Sequence, residues 1–195
     1  MYIPFHKPIM PKSFNDVITE SIDNGWLTTG PVVKEFESKL IDYLHSDNVI
    51  AVNSCTAALH LAIMAKEFEP NCKFIVPTYT FVATVEVGEY SNLHPILIDC
   101  DDNYNIDLNQ VEDHLKIDKK IKFIIPVHFA GRAVDMIELK KLCEKYGIFI
   151  IEDAAHAFET KSNIGKVGDT NNAACFSFYA NKNIASAGEG GSIST

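Results

Sequence analysis

Short, continuous apolar runs alternate with amphipathic stretches along this chain, a pattern that predicts alternating strands and helices. Residues 48–53 (NVIAVN) read as a buried strand, and residues 56–66, rich in Ala and Leu, as the helix after it. Residues 73–76 predict a second strand, stopped by Pro77, with a helix over 80–90. Residues 95–99 form a third strand, after which Asp107 is placed to N-cap a helix over 108–115. A fourth strand is expected over 121–127, then a helix over 134–146 ended by Gly147 in the C′ position. Residues 148–152 and 173–179 supply the fifth and sixth strands. Strands apolar on both sides, joined by helical crossovers, imply an α/β fold: a mostly parallel sheet with helices on both faces. No repeat, low-complexity tract or linker interrupts the pattern.

Composition narrows the picture only a little. At 195 residues the chain suits one domain with a sizeable core. A formal net charge of -9 argues against a nucleic-acid footprint, which needs clustered Lys and Arg. The five cysteines, Cys55, Cys72, Cys100, Cys143 and Cys175, include no C-x-x-C pair, so reduced, mostly buried thiols are expected rather than a disulfide framework or a metal site. The start, Met1-Tyr2-Ile3-Pro4-Phe5, lacks the basic-then-apolar pattern of a signal peptide, and no apolar run approaches a membrane span. A cytoplasmic protein without membrane contacts is expected.

In open α/β sheets, ligands sit at the carboxyl ends of the strands. Three polar groups follow predicted strands: Ser54-Cys55-Thr56, Asp153, and the stretch from Ser177 to Lys182. The first lies at a helix start, where orphan N–H groups and the helix dipole favour an anion, although plain N-capping by Ser54 or Thr56 explains it equally well. No Walker A lysine and no G-x-G-x-x-G follows any strand, which disfavours a nucleoside triphosphate or a dinucleotide. Asp153 ends a very apolar strand, so it needs a cation or donor; capping the next helix is one role, pairing with a protonated ring nitrogen another. Such a carboxylate suits the pyridinium of pyridoxal phosphate (PLP), and His156, three residues on, reaches the same ligand if the segment turns helically. Lys182 lies in an Asn- and Gly-rich loop where lysines are usually just solvated; in a cleft beside a cationic cofactor it could form a Schiff base and shuttle a proton. Ser177 could add a hydroxyl to a phosphate cradle, and Gly188, Gly190 and Gly191 would let the backbone pass close to the cofactor.

Six segments then follow one another in order: GWLTTGP (25–31), NSCTAAL (53–59), PTYTFVAT (77–84), PVHFAG (126–131), EDAAH (152–156), and FSF (176–178) through Lys182-Asn183 to GEGG (188–191). Together they resemble the DegT/DnrJ/EryC1/StrS family of sugar aminotransferases, enzymes of fold-type I PLP architecture, over nearly the whole chain. The resemblance implies PLP as cofactor, with Lys182 as its covalent anchor and Asp153 as partner of the pyridine nitrogen. It places His156 near the ring hydroxyl and Phe81 stacked on the ring. It gives the phosphate to Cys55, Thr56 and Ser177, Cys55 through its backbone N–H at a position where many relatives have glycine. Thr29 and Gly30 would approach the sugar. The implied reaction is a two-stage transamination from an amino donor, commonly glutamate, to the keto carbon of a nucleotide-linked deoxy sugar, in surface-polysaccharide biosynthesis.

The run Gly191-Ser192-Ile193-Ser194-Thr195 is β-prone, with no turn or closing helix after it. Similar proteins continue into a smaller C-terminal domain and form homodimers that share active-site residues. Residues 1–195 are therefore expected to be the PLP-binding large domain, truncated at its C-terminus and unstable or inactive alone. Three rivals stand beside the aminotransferase: a truncated, non-catalytic PLP-binding fragment; the family's sugar dehydratases, which carry His where Lys182 stands; and a nicotinamide-dependent oxidoreductase, whose glycine fingerprint is missing.

Overall fold

A computed structural model describes residues 3, 6–169 and 172–195 and has the α/β alternation expected from the sequence. The elements are α1 (Phe14–Asp23), α2 (Pro31–Leu44), β1 (Val49–Val52), α3 (Cys55–Ala65), β2 (Lys73–Pro77), α4 (Ala83–Glu89), β3 (His94–Ile98), α5 (Leu108–Ile117), β4 (Ile121–Ile124), α6 (Met136–Tyr146), β5 (Phe149–Asp153), β6 (Lys161–Ser162), β7 (Gly165–Lys166), β8 (Ala173–Ser177) and β9 (Gly191–Ser194). Seven strands form one sheet in the order β1-β9-β8-β5-β4-β2-β3, while β6 and β7 make a separate antiparallel hairpin. The ladders from β8 through β5, β4 and β2 to β3 are parallel. Strand β9 runs antiparallel to both β1 and β8.

Local signals explain most boundaries. Asp107 accepts the N–H groups of Asn109 and Gln110 and so caps α5, while Gly147 ends α6 at φ 70°. The expected helix over 80–90 is shorter, Ala83–Glu89, because the chain after Pro77 stays extended enough for Thr78 N–H to bond the Ile98 carbonyl at 2.8 Å. The fourth strand closes at Ile124, just before Pro126, which has no N–H to give; Val127 then makes an isolated bridge to Asp153. Helices α1 and α2 and the β6–β7 hairpin add to the six strands and four helices expected from the pattern, and the β-prone run at 191–195 supplies β9. Pro31 in the first turn of α2 and His45 in the left-handed conformation at its end mark that helix.

The strands bury alternate residues on opposite faces. Phe74, Val76, Phe123, Ile125, Ile151 and Cys175 pack with α3 and α4 on one side, whereas Ile75, Ile124 and Ile150 pack with α5 and α6 on the other. A third cluster joins α2 to the outer strands through Leu40, Leu44, Phe158, Phe176 and Phe178. All five cysteines are free, and four are buried. Among the described residues no helix is long and apolar enough to cross a membrane.

Aromatic packing leaves one test of this core. Phe74 and Phe123 stack at 4.9 Å, and a Cβ added at Gly88 of α4 would lie 2.3 Å from the Phe74 ring. Glycine to alanine in a helix normally stabilises by about 0.5–1 kcal/mol. Here overpacking of a fully buried ring outweighs that gain, and Gly88→Ala is expected to destabilise the protein by about 1–3 kcal/mol in denaturant titration.

Candidate functional site

The carboxyl ends of β5 and β8 and the N-terminus of α3 meet around a cavity of about 500 Å³. Of the residues singled out from the sequence, Cys55, Thr56, Phe81, Asp153, His156, Ser177 and Lys182 all line it. Thr29 and Gly30 are not among its lining residues. Thr29 is exposed, and Gly30 sits at the N-cap of α2, where an added Cβ would fall 2.5 Å from the Trp26 ring.

The N-terminus of α3 contributes one part of the cavity lining. Ser54 caps the helix, its hydroxyl accepting the Ala57 N–H at 3.1 Å, while the N–H groups of Cys55 and Thr56, at the first two helical positions, face the cavity end of the helix. The capping and anion-binding readings of this segment are thus compatible: the Ser54 side chain serves the third N–H and leaves the first two. The Cys55 thiol turns inward and donates to the Cys175 carbonyl at 3.3 Å. Burial, with Asp153 and Cys175 beside it, holds that thiol protonated well above its ordinary pKa. Ser177 ends β8 with its hydroxyl oxygen accepting the Tyr179 N–H at 3.4 Å, which leaves its O–H free to donate.

The glycines of the 188–191 run have distinct surroundings. A Cβ at Gly191 would meet the backbone of Ser54 at 2.5 Å and Cys55 N at 2.7 Å, so the close approach it permits is between β9 and the start of α3. Gly190 packs on Ser186, and Gly188, at φ 141°, has open space around it.

Asp153 is buried in the cavity wall, its Oδ1 4.0 Å from the Cys55 Sγ at the start of α3. Its Oδ2 accepts the Thr84 hydroxyl at 2.7 Å, Thr84 in turn accepts from Thr80 at 2.8 Å, and Oδ1 accepts the Ala155 N–H at 3.1 Å. Among the described residues Asp153 makes no ion pair. Lys182 follows the turn that its N–H closes onto the Tyr179 carbonyl at 2.9 Å, and it too has no salt-bridge partner among the described residues. His156 is held below its ordinary pKa, first by desolvation and then by the Lys182 charge, against the opposing pull of Asp153. It therefore stands as a neutral imidazole near neutral pH. Phe81 presents an open ring, 74% exposed, which rules out a core role.

Sequence reasoning missed several lining residues, Thr80, Thr84, His128, Phe129, Asn181 and Glu189 among them. Thr80 and Thr84 lay within the PTYTFVAT segment, but their hydroxyl chain to Asp153 needs α4 placed over β5. His128 is fully buried: its Nδ1 accepts the Val134 N–H at 3.2 Å, so Nε2 carries the proton and donates to Glu152 at 2.9 Å. Asn172 donates to the same carboxylate at 2.9 Å. Glu152 and Asp153 thus point to opposite sides of β5, each with its own donors.

This arrangement brings N–H groups suited to an anion, a buried carboxylate suited to a protonated nitrogen, an open aromatic ring and an amine around one cavity. The family model for the DegT/DnrJ/EryC1/StrS aminotransferases matches residues 8–195. The spore coat polysaccharide biosynthesis protein SpsC of Bacillus subtilis is 35% identical over 100% of this chain and 49% of its own length. GDP-perosamine synthase of Escherichia coli O157:H7 is 33% identical over 100% of the chain and 53% of its length. The PLP form of a Streptococcus pneumoniae protein, provisionally titled a sugar aminotransferase, superposes with a TM-score of 0.93 at 32% identity, over 98% of this chain and 52% of that one. The chain spans about half the length of the curated relatives it matches. A family match running from residue 8 through residue 195, carried on this sheet and this cavity, makes the chain a member of the DegT/DnrJ/EryC1/StrS aminotransferase family.

Proposed function

We propose that residues 1–195 are the cofactor-binding large domain of a cytoplasmic, PLP-dependent aminotransferase, a homodimer at family length, that aminates the keto carbon of a nucleotide-linked deoxy sugar with glutamate as donor. One observation carries this reading: a buried carboxylate, Asp153, faces the cavity with hydroxyl and N–H donors but no cation among the described residues. An unpaired buried charge is costly, and a protonated ring nitrogen is the partner that such a site lacks. The relatives named for GDP-perosamine synthesis and spore coat polysaccharide biosynthesis support the sugar substrate.

The residues present fit PLP. Backbone N–H groups of Cys55 and Thr56, with the Ser177 hydroxyl, bind the phosphate, where the α3 dipole adds to their hydrogen bonds. Asp153, braced by Thr84, holds a proton on the ring nitrogen. Phe81 and neutral His156, which line the same cavity, would cover the ring and meet its hydroxyl if the cofactor bound there. When bound, PLP supplies a carbonyl carbon that takes up the amino group and a ring that withdraws electrons from the substrate carbon. Lys182 anchors the cofactor and then moves a proton to and from that substrate carbon.

Treating the chain with PLP and then borohydride is expected to leave a pyridoxyl group on Lys182, located by peptide mass spectrometry. The Lys182→Ala chain should stay unlabelled; a folded wild-type chain without label would contradict the reading. Asp153→Asn keeps the side chain's shape and removes its charge. It should keep the label while slowing glutamate-driven formation of pyridoxamine phosphate by about 10²–10³-fold, the usual scale for losing one charge-stabilising group. Gly191→Ala drives a Cβ into the Ser54–Cys55 backbone and should weaken PLP affinity by roughly 10-fold or more in an absorbance titration.

A further inference from the structure

Three aromatic rings stand together, and one of them, Phe129, lines the cavity. Tyr79 and Phe129 have centroids 4.7 Å apart, Tyr79 and Tyr104 5.8 Å, and Tyr104 and Phe129 5.9 Å. Scattered exposed aromatics are ordinary on a protein surface. These are packed on one another and still open to water, Tyr79 at 52% and Tyr104 at 59% exposure.

The backbone beneath them is held in conformations that ordinary residues avoid. Tyr104 sits at φ 64° and Ala130, next to Phe129, at φ 51°. Non-glycine residues persist in the left-handed region when surrounding structure over-determines them, and such positions gather at ligand clamps. The surrounding ties are visible. Asp101 Oδ1 accepts the N–H groups of Asn103 at 2.7 Å and Asn105 at 3.1 Å, fixing the turn that carries Tyr104. Arg132 Nη1 donates to Asn103 Oδ1 at 2.8 Å, and Asn105 Nδ2 to the Ala133 carbonyl at 3.0 Å, which cross-links that turn to the one carrying Phe129. The rings are therefore set in place before anything binds, so little side-chain entropy is lost when something does.

We infer that Tyr79, Tyr104 and Phe129 form a platform on which the planar base of the nucleotide-linked substrate stacks. The inference rests on the cavity being the reaction site for such a substrate. Phe129 lines the cavity and meets His156 edge-on at 6.3 Å, so it joins the reacting centre to the outer rings. A substrate with its sugar beside Lys182 that leaves over Phe129 next meets Tyr79 and Tyr104. Arg132 lies beside the platform, exposed and without an ion-pair partner among the described residues, and suits the phosphates that separate sugar from base.

Isothermal titration of the chain with UDP, GDP and inorganic pyrophosphate tests the platform, with borohydride labelling at Lys182 run on the same samples. At least one nucleoside diphosphate should bind about 10-fold or more tightly than pyrophosphate, since stacking reaches that scale. Tyr79→Ala and Tyr104→Asn should each weaken that nucleoside diphosphate by about 5- to 150-fold and leave pyrophosphate unchanged. Asparagine is chosen at 104 because it tolerates the left-handed backbone; Tyr104→Phe, which keeps the ring, should bind within about twofold of wild type. Nucleoside diphosphates binding no better than pyrophosphate, or ring-removing variants binding like wild type, would overturn the platform while labelling at Lys182 left the cofactor reading intact. A change confined to sedimentation, with nucleotide affinity unaltered, would assign the rings to a contact between copies of the chain and equally overturn it. Loss of the label in the wild-type chain would instead strike the cofactor reading itself.

Discussion

Burying the Asp153 carboxylate at the end of β5 costs free energy that the rest of the site is arranged to offset. The Thr80–Thr84 hydroxyl chain and the Ala155 N–H supply part of the compensation, and they do so only because α4 and the turn after β5 are held over the strand end. The neighbouring Glu152 poses the same problem on the opposite face, where His128 and Asn172 meet it. Two adjacent carboxylates are tolerated because the strand's two-residue period sends them apart. One is enclosed by donors behind the sheet. The other opens onto a cavity.

The opposite wall depends on how β9 enters the sheet. Its antiparallel course between β1 and β8 brings Gly191 against the first turn of α3, at a distance no side chain would allow. That contact couples the start of α3 to the end of β8, where Ser177 sits and from which the loop to Lys182 departs. Cavity geometry is thus a property of the sheet order. Displacing β9 would separate N–H groups, hydroxyl and amine at once.

Outside the cavity, the same economy of backbone recurs in the two turns carrying Tyr104 and Phe129. Both use left-handed residues that are not glycine, and side-chain hydrogen bonds cross from one to the other. A rigid aromatic surface favours ligands with a flat group, because neither partner needs to reorganise to meet the other.

Much of this was legible in the residues themselves. The apolar runs at residues 73–76, 121–127, 148–152 and 173–179 disclosed the central strands, since a strand buried on both faces has no polar position to blur the signal. Asp107 and Gly147 marked helix ends because capping is local chemistry. Ordered motifs disclosed the family and seven of the residues that line the cavity. Strand β9 was harder: Gly-Ser-Ile-Ser has little apolar content, and its Ser192 and Ser194 are buried only because β1 and β8 flank them. The Thr84–Asp153 bond spans 69 residues and the Cys55–Asp153 approach 98, separations at which no periodicity carries information. Thr29 and Gly30 belong to a recognisable motif, yet their place outside the cavity lining follows from how α2 packs against the outer strands. The sequence alone determined the fold class, the central elements and the identity of the chemical groups, because these follow from local periodicity and residue chemistry. Tertiary structure alone decided which groups meet, how Asp153 is braced, where Gly191 packs against α3 and which rings face water, because each depends on contacts between segments far apart in the chain.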